Sequence, residues 1–442
     1  MKTTRQLVFD ALMQVFRDGG YSNIVFDRMV RGGKLDKIQA SFAAALFYGV
    51  LERSIGLDYT IEAYLKKGIA SLDLEVLLIL RMGFYQICYM DSIPPNAAVN
   101  ESVNLALYAR KSSAKGLINA VLRSFLREGK NLRYPDLSDK LSYMSVQYSC
   151  PRWILDRLSA QYGLEKTLQY AEASLFRPPL FVRVNTLRIK TEELAERLIQ
   201  RGIEAKPHAF LKNCLLLSET GSIERLPEFR EGLFHVQDAS SQLCVEALSP
   251  EPGQVVADVC AAPGAKSFTA AEYMQNQGRI FSGDLYEHKQ KLIMQGAARL
   301  GISIIEAEVR DASQPDNSVV LADRVLCDVP CSGWGVIRRK PEIKLKSFSE
   351  GKSLTAMQES ILWNAANRVK PGGRLVYSTC TLNKDENEEV IFRFLSENNS
   401  FQPLQLDGIF SKIETSNDFM ATVFPLKESG DGFFIAALLR RP

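Results

Sequence analysis

The sequence predicts an α/β protein: a doubly wound sheet in the C-terminal part, preceded by an all-helical domain and a small α+β module. Three observations carry this. Residues 1–130 show apolar residues only at helical spacing, residues 137–250 mix helical stretches with an alternating strand, and beyond Gly253 short apolar runs alternate with helical segments. The 442 residues exceed what one hydrophobic core usually supports, so more than one domain is expected.

The first domain, 1–130, rests on spacings such as Leu7, Ala11, Leu12, Val15 and Phe16. Gly19-Gly20, Gly32-Gly33 and Pro94-Pro95 would interrupt its helices, and Asn131 to Asp136, with Pro135 inside it, reads as a linker. The second module, 137–250, carries a helix beginning near Pro151, another over Thr167 to Ala173, a strand over Leu180 to Val184, and a helix from Thr191 to Arg201. The third, 251–442, carries strands over Val255 to Val259, Arg279 to Asp284, Ile302 to Val309, Arg324 to Cys327 and Arg374 to Ser378. It closes with Gly432 to Leu438, a strand with no helix after it, expected to run antiparallel at the sheet edge.

Composition excludes several classes. At 46% hydrophobic and 24% charged residues the chain is far from the balance of disordered proteins. Eight cysteines in a chain this long, without a secretory leader, are not a disulfide framework. Lys2, Arg5 and Asp10 among apolar residues read as an amphipathic helix, and the most apolar run, Ser41 to Leu51, is too short to cross a bilayer. A reducing cytoplasm is therefore expected. The net charge is +3, yet residues 1–130 hold 17 Lys+Arg against 12 Asp+Glu, which leaves −2 for the remainder. A basic excess in one module fits phosphate contact.

The first βα turn of the third domain reads Asp258-Val259-Cys260-Ala261-Ala262-Pro263-Gly264-Ala265-Lys266. Small residues let the backbone approach a ligand closely where a helix N-terminus offers unpaired N–H groups. The next strand ends at Asp284, 20 residues after Gly264, where a carboxylate meets ribose hydroxyls, and the third ends near Asp311. Each acid alone would be read as a helix cap; together they point to a nucleoside-containing cofactor. Neither G-x-G-x-x-G nor the phosphate-loop pattern occurs, which disfavours NAD and ATP.

The fourth strand leads into Asp328-Val329-Pro330-Cys331 and the fifth into Ser378-Thr379-Cys380. Both thiols thus fall at the ligand-binding edge. Cys88, Cys150, Cys214, Cys244 and Cys327 read as small core residues, and Cys260 belongs to the cofactor turn. Three histidines, His208, His235 and His288, form no ligand pattern, so no metal is expected. Thiol, carboxylate and methyl donor together suit methylation of cytosine carbon 5. A thiolate adding to carbon 6 makes carbon 5 nucleophilic, an acid at ring nitrogen 3 absorbs the charge, and a base then removes the carbon-5 proton. Asp328 suits the nitrogen if its site lets it hold or share a proton. Cys331 and Cys380 divide attack and release, and position does not say which does which.

These motifs resemble those of the NOL/NOP/SUN group of RNA 5-methylcytosine methyltransferases, and within it the bacterial branch acting on 16S ribosomal RNA. The resemblance covers essentially the whole chain, including Arg183 to Arg188 just before the core. It implies a class I (Rossmann-like) methyltransferase sheet and attack by the Thr-Cys thiol, Cys380, with the Pro-Cys thiol, Cys331, assisting release. It further implies S-adenosylmethionine held by Cys260, Ala261, Ala262, Pro263, Gly264, Ala265, Lys266, Asp284 and Asp311, with Asp328 reaching cofactor and base. The N-terminal region resembles a NusB-like RNA-binding domain through Asn100 to Val103 and Gly116 to Arg123, which favours ribosomal over transfer RNA. Ala265, Ser267 and Trp334 depart from the family pattern, and Trp334 is expected to reshape the base pocket or stack on a nucleotide.

After the Cys331 loop, Arg338, Arg339, Lys340, Lys344 and Lys346 stand against the single acid Glu342. A solvated face is the plain reading of such a run; its position favours phosphate contact. The expected partner is 16S rRNA, free or in an assembling subunit, met by a monomer with no membrane association. Rival readings are a tRNA cytosine-5 methyltransferase, a DNA enzyme needing only Cys331, and a non-catalytic NusB-like RNA-binding protein.

Overall fold

The computed structural model describes residues 2–315, 320–347, 352–413, 415–426 and 429–442. It divides into two compact units, Met1–Phe176 with Ile337–Ser347, and Arg177–Val336 with Phe348–Pro442.

The first unit is helical: α1 Thr4–Asp18, α2 Ser22–Gly33, α3 Lys37–Glu52, α4 Ser54–Glu62, α5 Leu74–Tyr89, α6 Pro95–Tyr108, α7 Lys115–Arg127, α8 Lys140–Gln147, α9 Arg152–Tyr162 and α10 Leu164–Ala173. Capping boxes at Thr3/Gln6 and Asp36/Gln39 open α1 and α3 by satisfying otherwise unpaired N–H groups. The glycine and proline signals act as expected: Gly19 ends α1 in the left-handed region, α2 stops at Gly33, and Pro95 starts α6. Helix α5 is buried nearly all round, and its Phe84 ring stacks on Phe125 of α7 at 4.4 Å.

The helical unit extends beyond residue 130, because α8–α10 cluster with it while the strands after them belong to the second unit. The reason is local: the Ser149 hydroxyl accepts from the Gly56 amide of α4 at 2.9 Å, and α8 packs on α4.

In the second unit, β1 Leu180–Val184, β2 Glu204–Pro207, β3 Cys214–Ser218 and β4 Phe234–Val236 form an antiparallel sheet ordered β2-β3-β1-β4. Helix α11 (Thr191–Gln200) lays Leu194 and Leu198 into a core with Val182, Leu215 and Phe234. Sequence patterning finds only β1. Cys214 to Leu217 is a continuous apolar run without alternation, and β4 is three residues long.

After α12 (Pro227–Arg230) and α13 (Ala239–Leu248) come β5 Val255–Asp258, α14 Ala265–Tyr273, β6 Arg279–Asp284, α15 Glu287–Leu300, β7 Ile305–Val309, β8 Ala322–Asp328, α16 Lys352–Asn367, β9 Val369–Thr379, α17 Glu388–Glu397, β10 Phe401–Pro403, β11 Thr415–Asn417, β12 Met420–Val423 and β13 Phe433–Arg440. The sheet order is β11-β12-β13-β9-β8-β5-β6-β7, with β10 beside β13. Strands β5 to β9 pair in parallel, and β13 joins β9 antiparallel, as its position after the last helix implies. It does not lie at the edge, because β12 pairs along Phe433 to Ala436.

The antiparallel sheet is tied to the parallel one by a buried ion pair. Arg183 of β1 and Glu272 of α14 meet at 2.9 Å with side chains 3% and 1% exposed, and the same guanidinium donates to the Lys212 carbonyl. Breaking such a pair strands a buried charge. Arg183→Met is therefore expected to cost about 3–5 kcal/mol in denaturant unfolding. The double substitution Arg183→Met with Glu272→Leu should recover most of that loss.

Candidate active site

The turn after β5 delivers the small-residue run Cys260 to Gly264 to the sheet edge. Gly264 sits at φ 109°, where a β-carbon would meet the Phe268 ring at 2.5 Å, so glycine is required by both backbone and space. Gly264 also precedes α14 without a side-chain cap, which leaves that helix end open to a ligand. Ala265 is the first residue of the helix, so the alanine that departs from the family pattern occupies an ordinary helical position.

Asp258 ends β5 fully buried. Its Oδ2 accepts from Ser267 at 2.7 Å, Ser267 accepts in turn from Ser282 at 2.8 Å, and its Oδ1 is buried with no partner. Burial pushes this carboxyl up to about 7. A buried orphan oxygen beside an uncapped helix end fits a polar, nucleoside-bearing ligand. Asp284 ends β6 and accepts from the Ala262 amide at 3.3 Å, with Lys289 also at 3.3 Å. Asp311 is exposed and accepts from the amide and hydroxyl of Ser313.

Strands β8 and β9 run parallel with Asp328 opposite Ser378, whose hydroxyl donates to Asp328 Oδ1 at 2.8 Å. Three residues beyond Asp328 and two beyond Ser378, the Cys331 and Cys380 sulfurs lie 3.2 Å apart. Cys380 beside it, together with burial, holds the Cys331 thiol well above its ordinary range.

Asp328 meets the Lys266 ammonium at 2.7 Å from Oδ2 and the Ser378 hydroxyl on Oδ1. Burial works against the Lys266 charge, but the adjacent Asp328 outweighs it and holds the ammonium protonated. Lys266, expected among the cofactor residues, thus pairs with the Asp328 carboxylate, and its ammonium lies 5.2 Å from the Phe433 ring centroid.

The thiol loops are locked to each other. The Gly335 amide donates to the Cys380 carbonyl and Gly432 donates to the Gly335 carbonyl. A β-carbon on Gly335 would lie 2.0 Å from the Gly432 oxygen. Trp334, expected to reshape the base pocket or stack on a nucleotide, is buried at 3% exposure. Glu386, Gln358 and Asn383 form a further buried network on the Ser332 amide, which sequence reading missed.

The basic run after the Cys331 loop is also not one solvated face. Arg338 and Lys344 are buried, at 4% and 5% exposure, within the segment that belongs to the helical unit. The Lys344 ammonium donates to the Glu52 carbonyl at 2.9 Å, and burial pulls it down to about 8. Lys340 and Lys346 are exposed and Arg339 is half-buried. The cysteines read as core, Cys150, Cys214, Cys244 and Cys327, are buried, and Cys88 packs against the helical core. Among the described residues, no cluster of His, Cys, Asp and Glu could hold a metal, and no helix is long and apolar enough to cross a membrane.

Comparison with known proteins covers the whole chain. The family described as 16S rRNA methyltransferase RsmB/F matches residues 245–439, the NusB family matches 2–127, and a ferredoxin-like domain of RsmF/B-like methyltransferases matches 150–224. The probable ribosomal RNA small subunit methyltransferase B of Bacillus subtilis is 34% identical over 449 residues, covering 100% of both chains. Ribosomal RNA small subunit methyltransferase B of Pectobacterium atrosepticum is 33% identical, covering 89% of each. The crystal structure of a methyltransferase homolog protein from Pyrococcus horikoshii superposes with a TM-score of 0.61 at 30% identity, covering 68% of this chain and 99% of that one. A Rossmann-like methyltransferase sheet with two thiols at its ligand edge, a NusB-like helical region before it, and full-length relatives at this identity place the chain in the ribosomal RNA small subunit methyltransferase B family.

Proposed function

We propose that this protein methylates carbon 5 of a cytosine in 16S ribosomal RNA, with Cys380 as nucleophile, Cys331 as the thiol of product release and Asp328 at ring nitrogen 3. The observation that carries this reading is the 3.2 Å thiol pair beside the Asp328–Lys266 pair. Sulfur is the strongest nucleophile available near neutral pH, and a second thiol in contact has a use only if protons move between them.

S-adenosylmethionine would supply an electrophilic methyl group on a sulfonium. The residues that would hold it are Cys260 to Lys266, Asp284 and Asp311, with Asp258 behind the turn. In this reading Cys380, as the thiolate, adds to carbon 6 of the base, with Cys331 beside it as the thiol. Electron density moves through the ring toward nitrogen 3, where Asp328 stands with Lys266 behind it to supply a proton. Carbon 5 then takes the methyl group. Cys331 passes its proton to the departing Cys380 sulfur and accepts the carbon-5 proton in its place. Nitrogen 3 hands its proton back to the Asp328–Lys266 pair as the ring is restored, and Cys380 leaves as a thiol and returns one proton to solvent, which balances the reaction. Lys340, Lys346 and Arg339 are the members of the basic run left to meet phosphate, and binding through them would weaken as salt rises.

On RNA carrying a mechanism-based cytosine analogue, Cys380→Ala is expected to form no covalent adduct. Cys331→Ala should accumulate adduct even on ordinary RNA, because release is blocked. Adduct formation by Cys380→Ala and not by Cys331→Ala would reverse the roles of the two thiols. Methyl transfer to DNA alone, or to transfer RNA alone, would replace the substrate class. Lys266→Met should lower single-turnover methyl transfer by roughly a hundredfold to ten-thousandfold, since it removes the proton source at nitrogen 3, and the folded fraction is checked by thermal unfolding.

A further inference from the structure

Glu386 is completely buried in the turn between β9 and α17. A carboxylate there is costly unless donors surround it. Its Oε2 accepts from the Ser332 amide at 2.9 Å and from Gln358 Nε2 at 2.9 Å, and its Oε1 accepts from Asn383 Nδ2 at 3.1 Å. Gln358 Nε2 also donates to the Pro330 carbonyl at 2.9 Å. These bonds therefore clasp the residues on either side of Cys331. Glu386 is in turn fixed from behind, since the buried Tyr377 hydroxyl donates to its carbonyl at 2.7 Å. On the opposite side the Ser332 hydroxyl lies 2.8 Å from that of Thr381, the residue after Cys380.

A purely structural anchor would need only a neutral acceptor at this point. The charge has a second effect: Glu386 is one of the groups that hold the Cys331 proton in place, after Cys380 itself and burial. Resting on the cytosine-5 reading above, we propose that Glu386 is a positioning residue for product release, clasping the Cys331 loop against Cys380. It touches neither base nor cofactor. The release step depends on the separation of the two sulfurs and on which of them bears the proton, whereas cofactor binding by the β5 turn depends on neither.

The test separates formation from release in the full-length protein. Single-turnover methyl transfer and the fraction of RNA left covalently bound are measured with S-adenosylmethionine and ordinary RNA, for wild type, Cys331→Ala, Glu386→Ala, Glu386→Gln and Gln358→Ala. Glu386→Ala is expected to accumulate adduct as Cys331→Ala does, with turnover down by about a hundredfold and KM for RNA unchanged. Glu386→Gln retains an acceptor for Ser332 and Gln358 but no charge, so it should release faster than Glu386→Ala, with its pH profile displaced toward acid. Gln358→Ala should show a milder adduct build-up, and it carries the test if Glu386→Ala does not fold. Equal loss of transfer and release in the folded Glu386 and Gln358 variants, or no adduct in any of them, would overturn the proposal. If Cys331→Ala itself accumulates no adduct, the thiol assignment fails instead.

Discussion

The site depends on the parallel register between β8 and β9. With Asp328 opposite Ser378, the two strands end together, and the short runs beyond them bring Cys331 and Cys380 to 3.2 Å. A slip of one residue in either strand would turn every side chain to the other face and separate the thiols. The register is held on both sides: β8 lies between β5 and β9, and β9 between β8 and β13. Close backbone contact between Gly335 and Gly432 then fixes the loop beyond β8 against the turn before β13.

Around this frame, several buried charges are compensated by close partners. Lys266 neutralises Asp328, Arg183 neutralises Glu272, and neutral N–H donors surround Glu386. Asp258 keeps one oxygen unsatisfied behind the turn where a ligand would arrive. In a medium of low dielectric such groups are expensive unless compensated.

Much of this was legible before folding, and the reasons are specific. Strands β1 and β6 match their expected bounds because period-two or bounded apolar patterning is a local property. Asp284, Asp328, Cys331 and Cys380 stood out because doubly wound sheets place functional groups at the carboxyl ends of strands, and a strand end can be read from sequence. The antiparallel sheet was mostly invisible, since β2 and β4 are short and exist through their partners. The basic run misled, since Arg338 and Lys344 were expected at a solvated face or on phosphate, yet both are buried.

By itself, then, the sequence determined the succession of helical, mixed and doubly wound regions, and the pairing of a cofactor turn with two thiols at neighbouring strand ends. These follow from periodicity and from where chemistry-bearing residues fall along the chain, which need no long-range contact. Only the tertiary structure decided that α8–α10 join the helical unit, that Lys266 serves Asp328, and that Glu386 clasps the Cys331 loop. Each of these joins residues far apart in sequence: 62 positions separate Lys266 from Asp328 and 54 separate Ser332 from Glu386. The state of a charged side chain is set by what desolvates and pairs it, and that is known only once distant segments meet.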